Sequence, residues 1–307
     1  MKITVLGCGA IGQLWLNALH QQGHDVQAWL RIPQANCQIQ VTTLNGEPCS
    51  LTVKANNSQH LAQTELLLVT LKAWQVSDAL RSLLPHLTCD CTVLLLHNGM
   101  GTWEELPALN QPLLLGVTTH AARRDAAGVV HVAAGVTHIG TLSPSRHPPE
   151  SQSQLAEILH QALPDVAWHN RITATCWQKL AANCVINPLT VLYECTNGEL
   201  QRYGEQIQRL CQEVAQVMER EGFHTSTENL LLYVNQIIQN TAANTSSMRQ
   251  DVLAQRHTEI DYITGYLLRR ARTHGLMLPE NSRLFDYIKR KESEYDRLGS
   301  GVSGTWE

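Results

Sequence analysis

The sequence has no long hydrophobic run and no strong excess of charge. None of its apolar stretches reaches the roughly 18–20 residues that a membrane-spanning helix needs. The N-terminal segment is apolar, but it has glycines where a signal peptide needs a leucine-rich block, and it lacks a cleavage site. The formal net charge is only −4, which is unsuited to general binding of phosphate backbones. We therefore expect a cytoplasmic protein that binds neither membranes nor nucleic acid.

The cysteines have no pattern typical of disulfides or metal sites. They number nine and include no CxxC pair, so we expect reduced, mostly buried thiols. Cys89, Cys91 and His97 could be imagined as a metal site, but no second ligand pair has suitable spacing, and we expect no metal. With 43% apolar and 16% charged residues among 307, the composition is globular and the length suggests two domains.

The first half alternates between strand-like and helix-like segments. Short apolar runs predict strands at Lys2–Leu6, 26–30, 65–71 and 92–96, and helical spacing predicts helices at 13–22, ended by Gly23, and at 76–84, closed by Pro85. Buried strands that alternate with helices are typical of a parallel sheet with helices on both faces. The sequence therefore predicts a doubly wound α/β domain.

The pattern changes after residue 113. Further strands are predicted at 113–119 and at 129–142, the latter as an antiparallel addition at the sheet edge with turns at Gly128 and Gly135. An exposed loop (143–153), a helix (154–163) and a strand (166–169) follow. From about residue 171 the pattern is helical, up to a weakly ordered tail at 298–307. We predict an α/β domain at 1–170 and an all-α domain at 171–307.

A glycine-rich turn follows the first predicted strand and opens the first helix. Its GxGxxG spacing is carried by Gly7, Cys8, Gly9, Ala10, Ile11 and Gly12. The first glycine permits a tight turn, the second lets a pyrophosphate approach the backbone, and the third lets the helix pack on the sheet. This context predicts a dinucleotide site; the plainer alternative is a turn that only packs a helix on a strand.

Residues at the strand ends refine that prediction. An NAD site places a carboxylate after the second strand, but this chain has Trp29, Leu30 and Arg31 there. An Arg pairs with a 2′-phosphate, which predicts NADP(H); otherwise Arg31 is a solvated surface residue. Lys72 and Asn98 follow two further strands and are candidate ligand residues, or else a helix start and a turn residue.

A polar stripe marks one segment of the helical half. Lys179, Asn183 and Asn187 recur at intervals of four among apolar residues, which places them along one side of a helix. If that side is buried, it needs polar partners such as a bound ligand; the alternative is an ordinary solvent face. The spacing alone does not decide between the two.

Three more polar positions stand out in the helical half. Asn197 is in a turn that precedes a helix. Ser247 and Gln250 fit a capping box at a helix start, which by itself explains the serine. In an uninterrupted helix Ser247 and Glu259 would lie on different faces, so they could share a site only at a distance or through a bend.

The sequence resembles bacterial ketopantoate reductases (2-dehydropantoate 2-reductases) over essentially its whole length. The resemblance is carried by KITVLGCGAIGQLWL, LLLVTLKAWQVSDA, HNGMGT, THAARRD, KLAANCVINPLT, NGEL, SSM…QD and RHTEIDYI. It implies reduction of ketopantoate to pantoate with NADPH, in the pathway to pantothenate and coenzyme A. It also implies a Rossmann-type domain followed by a helical domain like that of 6-phosphogluconate dehydrogenases, with the active site in the cleft between them.

The resemblance further implies roles for individual residues. Lys179 matches the general acid of the family, and Asn98 matches a residue that touches both cofactor and substrate. Ala122 and Glu259 match cofactor-side positions, although Glu259 also matches a substrate contact. The substrate-binding positions of the family are matched by Asn183, Asn187, Asn197 and Ser247. We expect ketopantoate as the small-molecule substrate and a monomer or homodimer.

Two other functions remain open from the sequence. The first is a related NADP-dependent dehydrogenase of another 2-keto or 3-hydroxy acid, which would keep the cofactor domain and change the pocket. The second is a non-catalytic NADPH-binding regulator, against which the intact stripe from Lys179 to Asn187 argues.

Overall fold

A computed structural model describes residues 1–142 and 149–298 of the chain. The chain divides into two compact units. The first contains Met1–His97 and Trp103–Thr175, and the second contains the short segment Asn98–Thr102 together with the chain from Cys176 onward. Among the residues described, no helix is both long enough and apolar enough to span a bilayer.

The first unit is built on one sheet, which has eleven strands in the described part of the chain. They are β1 (Lys2–Leu6), β2 (Asp25–Trp29), β3 (Asn36–Thr42), β4 (Pro48–Ala55), β5 (Leu66–Val69), β6 (Thr92–Leu95), β7 (Leu113–Thr118), β8 (Ala121–Asp125), β9 (Gly128–Ala133), β10 (Thr137–Thr141) and β11 (Val166–Trp168). Their order is β11-β10-β7-β6-β5-β1-β2-β4-β3-β9-β8.

The centre of this sheet is parallel. Neighbouring strands from β7 through β6, β5, β1 and β2 to β4 all run in the same direction. The chain winds outward from β1 to β2 on one side and to β5 and β6 on the other, so its direction of winding reverses between β1 and β5. Ligands of open parallel sheets bind beyond the carboxyl ends of the strands at such a reversal. The glycine-rich turn follows β1 at this position.

Both faces of the parallel strands are buried. The helices of the unit are α1 (Ala10–Gln21), α2 (Ser58–Leu61), α3 (Ala73–Leu83) and α4 (Pro149–Ala162). Ile3 and Val5 join a core cluster with α1 and α4, whereas Thr4 is on the opposite face of β1 and is also fully buried. This burial on two sides explains why β5 is a continuous apolar run.

Several elements of the first unit differ from the sequence-based predictions. The strands β3, β4 and β8 were not predicted. Cys37, Ile39 and Val41 alternate with exposed residues in β3, and β3 and β4 pair antiparallel around Gly46 at φ +81°, so period-2 alternation and an Asn-Gly turn were signals for this hairpin. The antiparallel addition predicted at 129–142 is confirmed only for β10, which pairs antiparallel with β7; β9, from the same stretch, lies towards the other edge, where it pairs parallel with β3 and antiparallel with β8. The sheet edge beyond β10 is β11, parallel to β10.

The predicted loop at 143–153 is wrong for its second part, because α4 already begins at Pro149. A proline is well placed in the first turn of a helix, where its missing N–H costs nothing. Residues 143–148 lie outside the described part of the chain. The same holds for the predicted tail beyond Leu298, the residue at which the last helix ends.

The second unit is helical. Its helices are α5 (Ile172–Leu192, of which the part from Cys176 belongs to this unit), α6 (Gly204–Arg220), α7 (Thr227–Asn240), α8 (Ser247–Leu253), α9 (Thr264–Thr273) and α10 (Pro279–Leu298), with 3₁₀ turns at Gly198–Tyr203 and Ile260–Tyr262. The central helix is α6, which packs against α7, α9 and α10 through buried residues such as Ile207, Leu210 and Val214.

A buried carboxylate fixes the start of α10. Glu213 of α6 accepts hydrogen bonds from the backbone N–H groups of Glu280 and Asn281, at 2.8 and 2.9 Å, and from the Asn281 side chain at 2.8 Å. Free N–H groups of a first helical turn need such acceptors.

The two units together confirm the predicted fold class, a Rossmann-type α/β unit and an all-α unit.

Candidate active site

The glycine-rich turn has no room for side chains at its ends. Gly7 has φ +99°, and a Cβ on it would lie 2.8 Å from Cδ2 of Leu71. A Cβ on Gly12 would lie 2.3 Å from the Gly7 carbonyl oxygen and 2.7 Å from Oγ1 of Thr70. Gly9 caps α1 in an extended conformation. The close approach of helix to turn, rather than flexibility, therefore requires glycine at position 12.

The same turn is tied to two other strands. Arg124 of β8 donates a hydrogen bond to the carbonyl oxygen of Cys8. The Sγ atom of Cys8 lies 3.3 Å from Sγ of Cys37 in β3, and the hydrogen bond with Cys37 together with burial raises the pKa of the Cys8 thiol. Arg124 is part of the THAARRD motif but was not among the predicted site residues. Ala122, in the same strand, packs on the core of the unit.

Two further predicted site residues lie in the first unit. Arg31 follows the end of β2 by two residues and is exposed. Lys72 precedes α3 as its N-cap, and its backbone N–H donates to Oε1 of Gln75 at 3.1 Å. Its position at a helix start agrees with the plainer interpretation of Lys72, and its side chain is partly buried.

Three predicted residues meet in the second unit. The Lys179 ammonium on α5 donates to Oδ1 of Asn98 at 2.7 Å. The Nδ2 group of Asn98 in turn donates to Oε2 of Glu259 at 3.3 Å. Each group takes the role that its chemistry allows, since an ammonium only donates, a carboxylate only accepts and an amide does both. A carboxamide therefore bridges a cation and a buried anion.

The segment that carries Asn98 is held by its glycines. Gly99 has φ +82°, and a Cβ on it would lie 2.5 Å from the carbonyl oxygen of Tyr262. That oxygen accepts a hydrogen bond from the backbone N–H of Met100 at 2.8 Å. Gly101 has φ +98°, and a Cβ on it would lie 2.7 Å from Cδ2 of the Tyr266 ring. The HNGMGT motif thus fixes Asn98 beside the 3₁₀ turn that follows Glu259.

The environment of Lys179 makes its ammonium a better proton donor. Burial lowers its pKa from the ordinary value of 10.5 to about 8, although the charges of Glu259 and Cys176 act in the opposite direction. Desolvation disfavours the charged form of a lysine, and an opposite charge restores part of it. The thiol of Cys176, one helical turn earlier, has its own pKa raised by burial to about 12.

The rest of the stripe is on the same helix. Asn187 is buried at 7% exposure, Asn183 is partly buried, and their neighbours Cys184 and Val185 are fully buried. The interpretation of this stripe as an ordinary solvent face therefore fails for Asn187. A helix buried on most sides has to supply partners for its polar groups.

Asn197 leaves one polar atom unsatisfied. It is buried at 7% exposure, and its Nδ2 group donates to Oγ1 of Thr241 at 2.9 Å. Its Oδ1 atom is buried and accepts no hydrogen bond from any residue of the described ranges. A buried acceptor without a donor costs about 1–3 kcal/mol unless something else binds it.

The predicted capping box at Ser247 is wrong. The N-cap of α8 is Ser246, whose Oγ accepts from the backbone N–H of Arg249 at 3.1 Å and lies 2.6 Å from Oγ1 of Thr190. Gln250 donates instead to the carbonyl oxygen of Thr245. Adjacent serines make the register ambiguous from sequence. Ser247 is the first residue of the helix and is exposed.

Glu259 is not on the helix that contains Ser247. That helix ends at Leu253, and Gln255 adopts φ +53°, which turns the chain before Glu259. The chain therefore bends between Ser247 and Glu259. In the described part of the chain, no group of three or more His, Cys, Asp or Glu side chains is arranged to hold a metal ion.

Comparison with known proteins identifies the class. The family profile "Ketopantoate reductase PanE/ApbA" matches residues 3–144, and its C-terminal counterpart matches residues 171–292. A Yersinia pestis protein named 2-dehydropantoate 2-reductase is 64% identical over 306 residues, which cover 100% of both chains. The fold and these matches define an oxidoreductase.

Solved structures share the fold. A PanE/ApbA family ketopantoate reductase from Ralstonia eutropha JMP134 has a TM-score of 0.84 at 24% identity, with 96% of this chain and 99% of that chain covered. D-mandelate dehydrogenase, solved with NADH and anilino(oxo)acetate, has a TM-score of 0.85 at 21% identity, with 96% and 100% covered. With the full-length identity to the Yersinia protein, the conclusion is direct: this chain belongs to the ketopantoate reductase family.

Proposed function

We propose that the protein reduces 2-dehydropantoate (ketopantoate) to (R)-pantoate with NADPH, in the pathway to pantothenate and coenzyme A. The observation that carries this proposal is the Lys179 ammonium, which Asn98 holds at 2.7 Å and whose pKa burial lowers to about 8. We assign residues 1–170 to cofactor binding and residues 171–307 to substrate binding and catalysis. The protein acts as a monomer or homodimer.

The residues of the first unit fit a dinucleotide phosphate. Gly9, at which a pyrophosphate would approach, has no side chain, and it is the N-cap of α1, whose N-terminus favours an anion. Arg31 supplies a cation for a 2′-phosphate where no carboxylate is present. Lys72 and Ala122 are the other cofactor residues of this unit, and the resemblance adds Asn98 and Glu259, which belong to the second unit. When bound, NADPH supplies the hydride for C2 of the substrate.

The chain itself supplies the proton. Negative charge develops on the keto oxygen as C2 is reduced, and the Lys179 ammonium stabilises that charge and delivers a proton to the oxygen. A donor with a pKa near 8 gives up its proton more easily than an ordinary lysine. Asn98 orients the ammonium by accepting a hydrogen bond from one of its N–H groups.

Neutral polar side chains bind the substrate. Asn183, Asn187 and Asn197 offer amides for the hydroxyl and carboxylate of ketopantoate without adding charge that would compete with Lys179. The orphaned Oδ1 of Asn197 fits a hydroxyl donor. Ser247 is exposed at the first residue of α8, where its hydroxyl and the helix N-terminus suit a carboxylate.

Steady-state oxidation of NADPH tests this function. Ketopantoate, pyruvate and 2-oxobutyrate are compared as substrates at equal concentrations, each with NADPH and with NADH. We expect kcat/KM to be highest for ketopantoate with NADPH. A higher value for one of the smaller acids would indicate a related dehydrogenase. Binding of NADPH without turnover of any 2-keto acid would indicate a non-catalytic binding protein.

A further inference from the structure

Glu259 lies in a short segment that helix α10 holds on both sides. On the N-terminal side, the backbone N–H and the Oγ1 hydroxyl of Thr258 both donate to Oε1 of Glu292, at 2.8 and 2.7 Å. The Thr258 hydroxyl also accepts from the backbone N–H of Ile260 at 3.2 Å. Glu259 therefore follows a residue that is bonded directly to a carboxylate of α10 and precedes one that is bonded to it only through the Thr258 hydroxyl.

A lysine of α10 holds the other side. The Lys289 ammonium lies 2.9 Å from Oδ2 of Asp261 and 2.9 Å from Oε2 of Glu292. Burial acts to lower its pKa, but the bonds to these two carboxylates hold the pKa of Lys289 above its ordinary value. Both carboxylate oxygens of Glu292 therefore have a partner: Thr258 donates to Oε1, and the Lys289 ammonium lies beside Oε2. Nδ1 of His257 lies 4.0 Å from the same Oε2 atom.

The burial of Glu292 argues for a specific task. Its side chain is only 4% exposed, and burying a carboxylate is costly unless several donors compensate it. Its donors are concentrated at Thr258, directly before Glu259, and Glu259 is itself buried at 4% exposure. A helix that only needed to pack on this segment would do so more favourably with an apolar residue.

From these contacts we propose that Glu292 is a positioning residue: through Thr258 it holds the Glu259 carboxylate on Asn98, and thereby holds the Lys179 ammonium. The connection runs from Glu292 to Thr258, along the backbone to Glu259, and through the Asn98 amide to Lys179. Glu292 touches neither substrate nor cofactor in this proposal, which rests on the proposed role of Lys179 as proton donor.

The consequence for Lys179 has a definite sign. Glu259 is the carboxylate whose negative charge raises the pKa of Lys179 against the effect of burial, because the Cys176 thiol, with a pKa raised to about 12, is neutral when Lys179 titrates. If Glu292 no longer fixes Thr258, the Glu259 carboxylate moves away on average, and the pKa of Lys179 falls further. The protonated fraction of Lys179, and with it the supply of protons, then declines at a lower pH than in the unaltered protein.

The variants come in matched pairs. Glu292→Gln removes the charge that binds Thr258 and Lys289, and Thr258→Val removes only the hydroxyl. Thr258→Ser keeps the hydroxyl and is the conservative counterpart of the valine variant. Glu213→Gln is the structural control, because Glu213 is also a buried carboxylate that binds α10, but at Glu280 and Asn281 rather than near Glu259.

Titration of Lys179 in the full-length protein tests the proposal without relying on activity. Lysines are reductively methylated with ¹³C-formaldehyde, and the Lys179 resonance is identified by its absence in Lys179→Arg. We expect its pKa to fall by about half a pH unit or more in Glu292→Gln and Thr258→Val, and to stay unchanged in Thr258→Ser and Glu213→Gln. Thermal unfolding of each variant shows that the comparison is made on folded protein.

Either of two results would overturn the proposal. One is an unchanged Lys179 titration in Glu292→Gln or Thr258→Val. The other is an equal shift in Glu213→Gln, which would mean that any loosening of α10 has the same effect. Turnover of ketopantoate by the unaltered protein is measured separately. If that turnover is absent while the titration shifts as expected, the proposed function fails and the positioning role of Glu292 stands.

Discussion

Lys179 owes its properties to two opposing effects on one ammonium group. Burial within the second unit lowers its pKa, and the nearby Glu259 carboxylate limits that fall, so that the net value is about 8. Without the anion, the pKa of Lys179 would fall further; without the burial, it would not be lowered from the ordinary value of 10.5. Asn98 is hydrogen-bonded to both groups and therefore holds the ammonium and the carboxylate near each other.

The pKa of Lys179 predicts the alkaline limit of activity. The protonated form is the active one, so activity is present below the pKa and is lost as pH rises through it. We expect kcat/KM for ketopantoate to fall with a midpoint near 8. The profile is recorded with saturating NADPH in a buffer series of constant ionic strength. A midpoint near 10.5, the ordinary lysine value, would contradict the role assigned to burial.

Arg31 determines the choice of cofactor if its guanidinium binds the 2′-phosphate. Arg31→Ala should then raise Kd for NADPH about tenfold to a hundredfold, the effect of a charge-assisted hydrogen bond, and leave Kd for NADH nearly unchanged. Arg31→Lys is the control that keeps the charge and loses the bidentate geometry. Fluorescence titration measures each Kd. An equal increase in Kd for NADPH and for NADH would contradict the prediction that Arg31 binds the 2′-phosphate.

At the scale of elements, the two serines that begin α8 have different tasks. Ser246→Ala removes the N-cap and the buried contact with Thr190, and should lower the free energy of unfolding by about 1–3 kcal/mol. Ser247→Ala should leave stability within about 0.5 kcal/mol and raise KM for ketopantoate. Urea denaturation and steady-state kinetics give both quantities. Equal effects of the two substitutions on stability would contradict the assignment of Ser246 as the cap.

The glycine-rich turn depends on the absence of a side chain at Gly12. Gly12→Ala places a Cβ against the Gly7 carbonyl, so either the turn or the start of α1 has to move. We expect a loss of about 1–3 kcal/mol in stability and a large loss of NADPH affinity. Gly204→Ala is the control, because Gly204 is at the start of α6 with nothing within 4 Å of its Cβ position. Retention of NADPH affinity in Gly12→Ala would remove this turn from the cofactor site.

The elements that the sequence predicted well are those with one dominant signal. Continuous apolar runs, such as the one at β5, identify strands buried on both faces because few other structures need them. The hairpin of β3 and β4 was not predicted because its exposed positions are polar and few of its positions are buried. Such an alternation of apolar and polar residues is weak and also fits a loop. The sequence could not predict which serine caps α8, because Ser246 and Ser247 are equally suitable N-cap residues.

At the scale of the molecule, the candidate site depends on contacts distant in sequence. Asn98 and Lys179 are separated by 81 positions, and Asn98 and Glu259 by 161. Spacing within a helix indicated the stripe of Lys179, Asn183 and Asn187, but the connection to Asn98 and Glu259 came only from resemblance. Local patterns do not show that Asn98–Thr102, directly after a strand of the sheet, belongs to the helical unit.

The role of Lys179 as proton donor is tested by the effect of Lys179→Ala on turnover and on cofactor binding in the same preparation. We expect kcat for ketopantoate reduction to fall roughly 10²–10⁴-fold, the usual contribution of a general acid, while Kd for NADPH stays within about threefold. Gln178→Ala, which alters an exposed neighbour on the same helix, should leave both values unchanged. Turnover by Lys179→Ala at the level of the unaltered protein would show that this ammonium does not protonate the substrate.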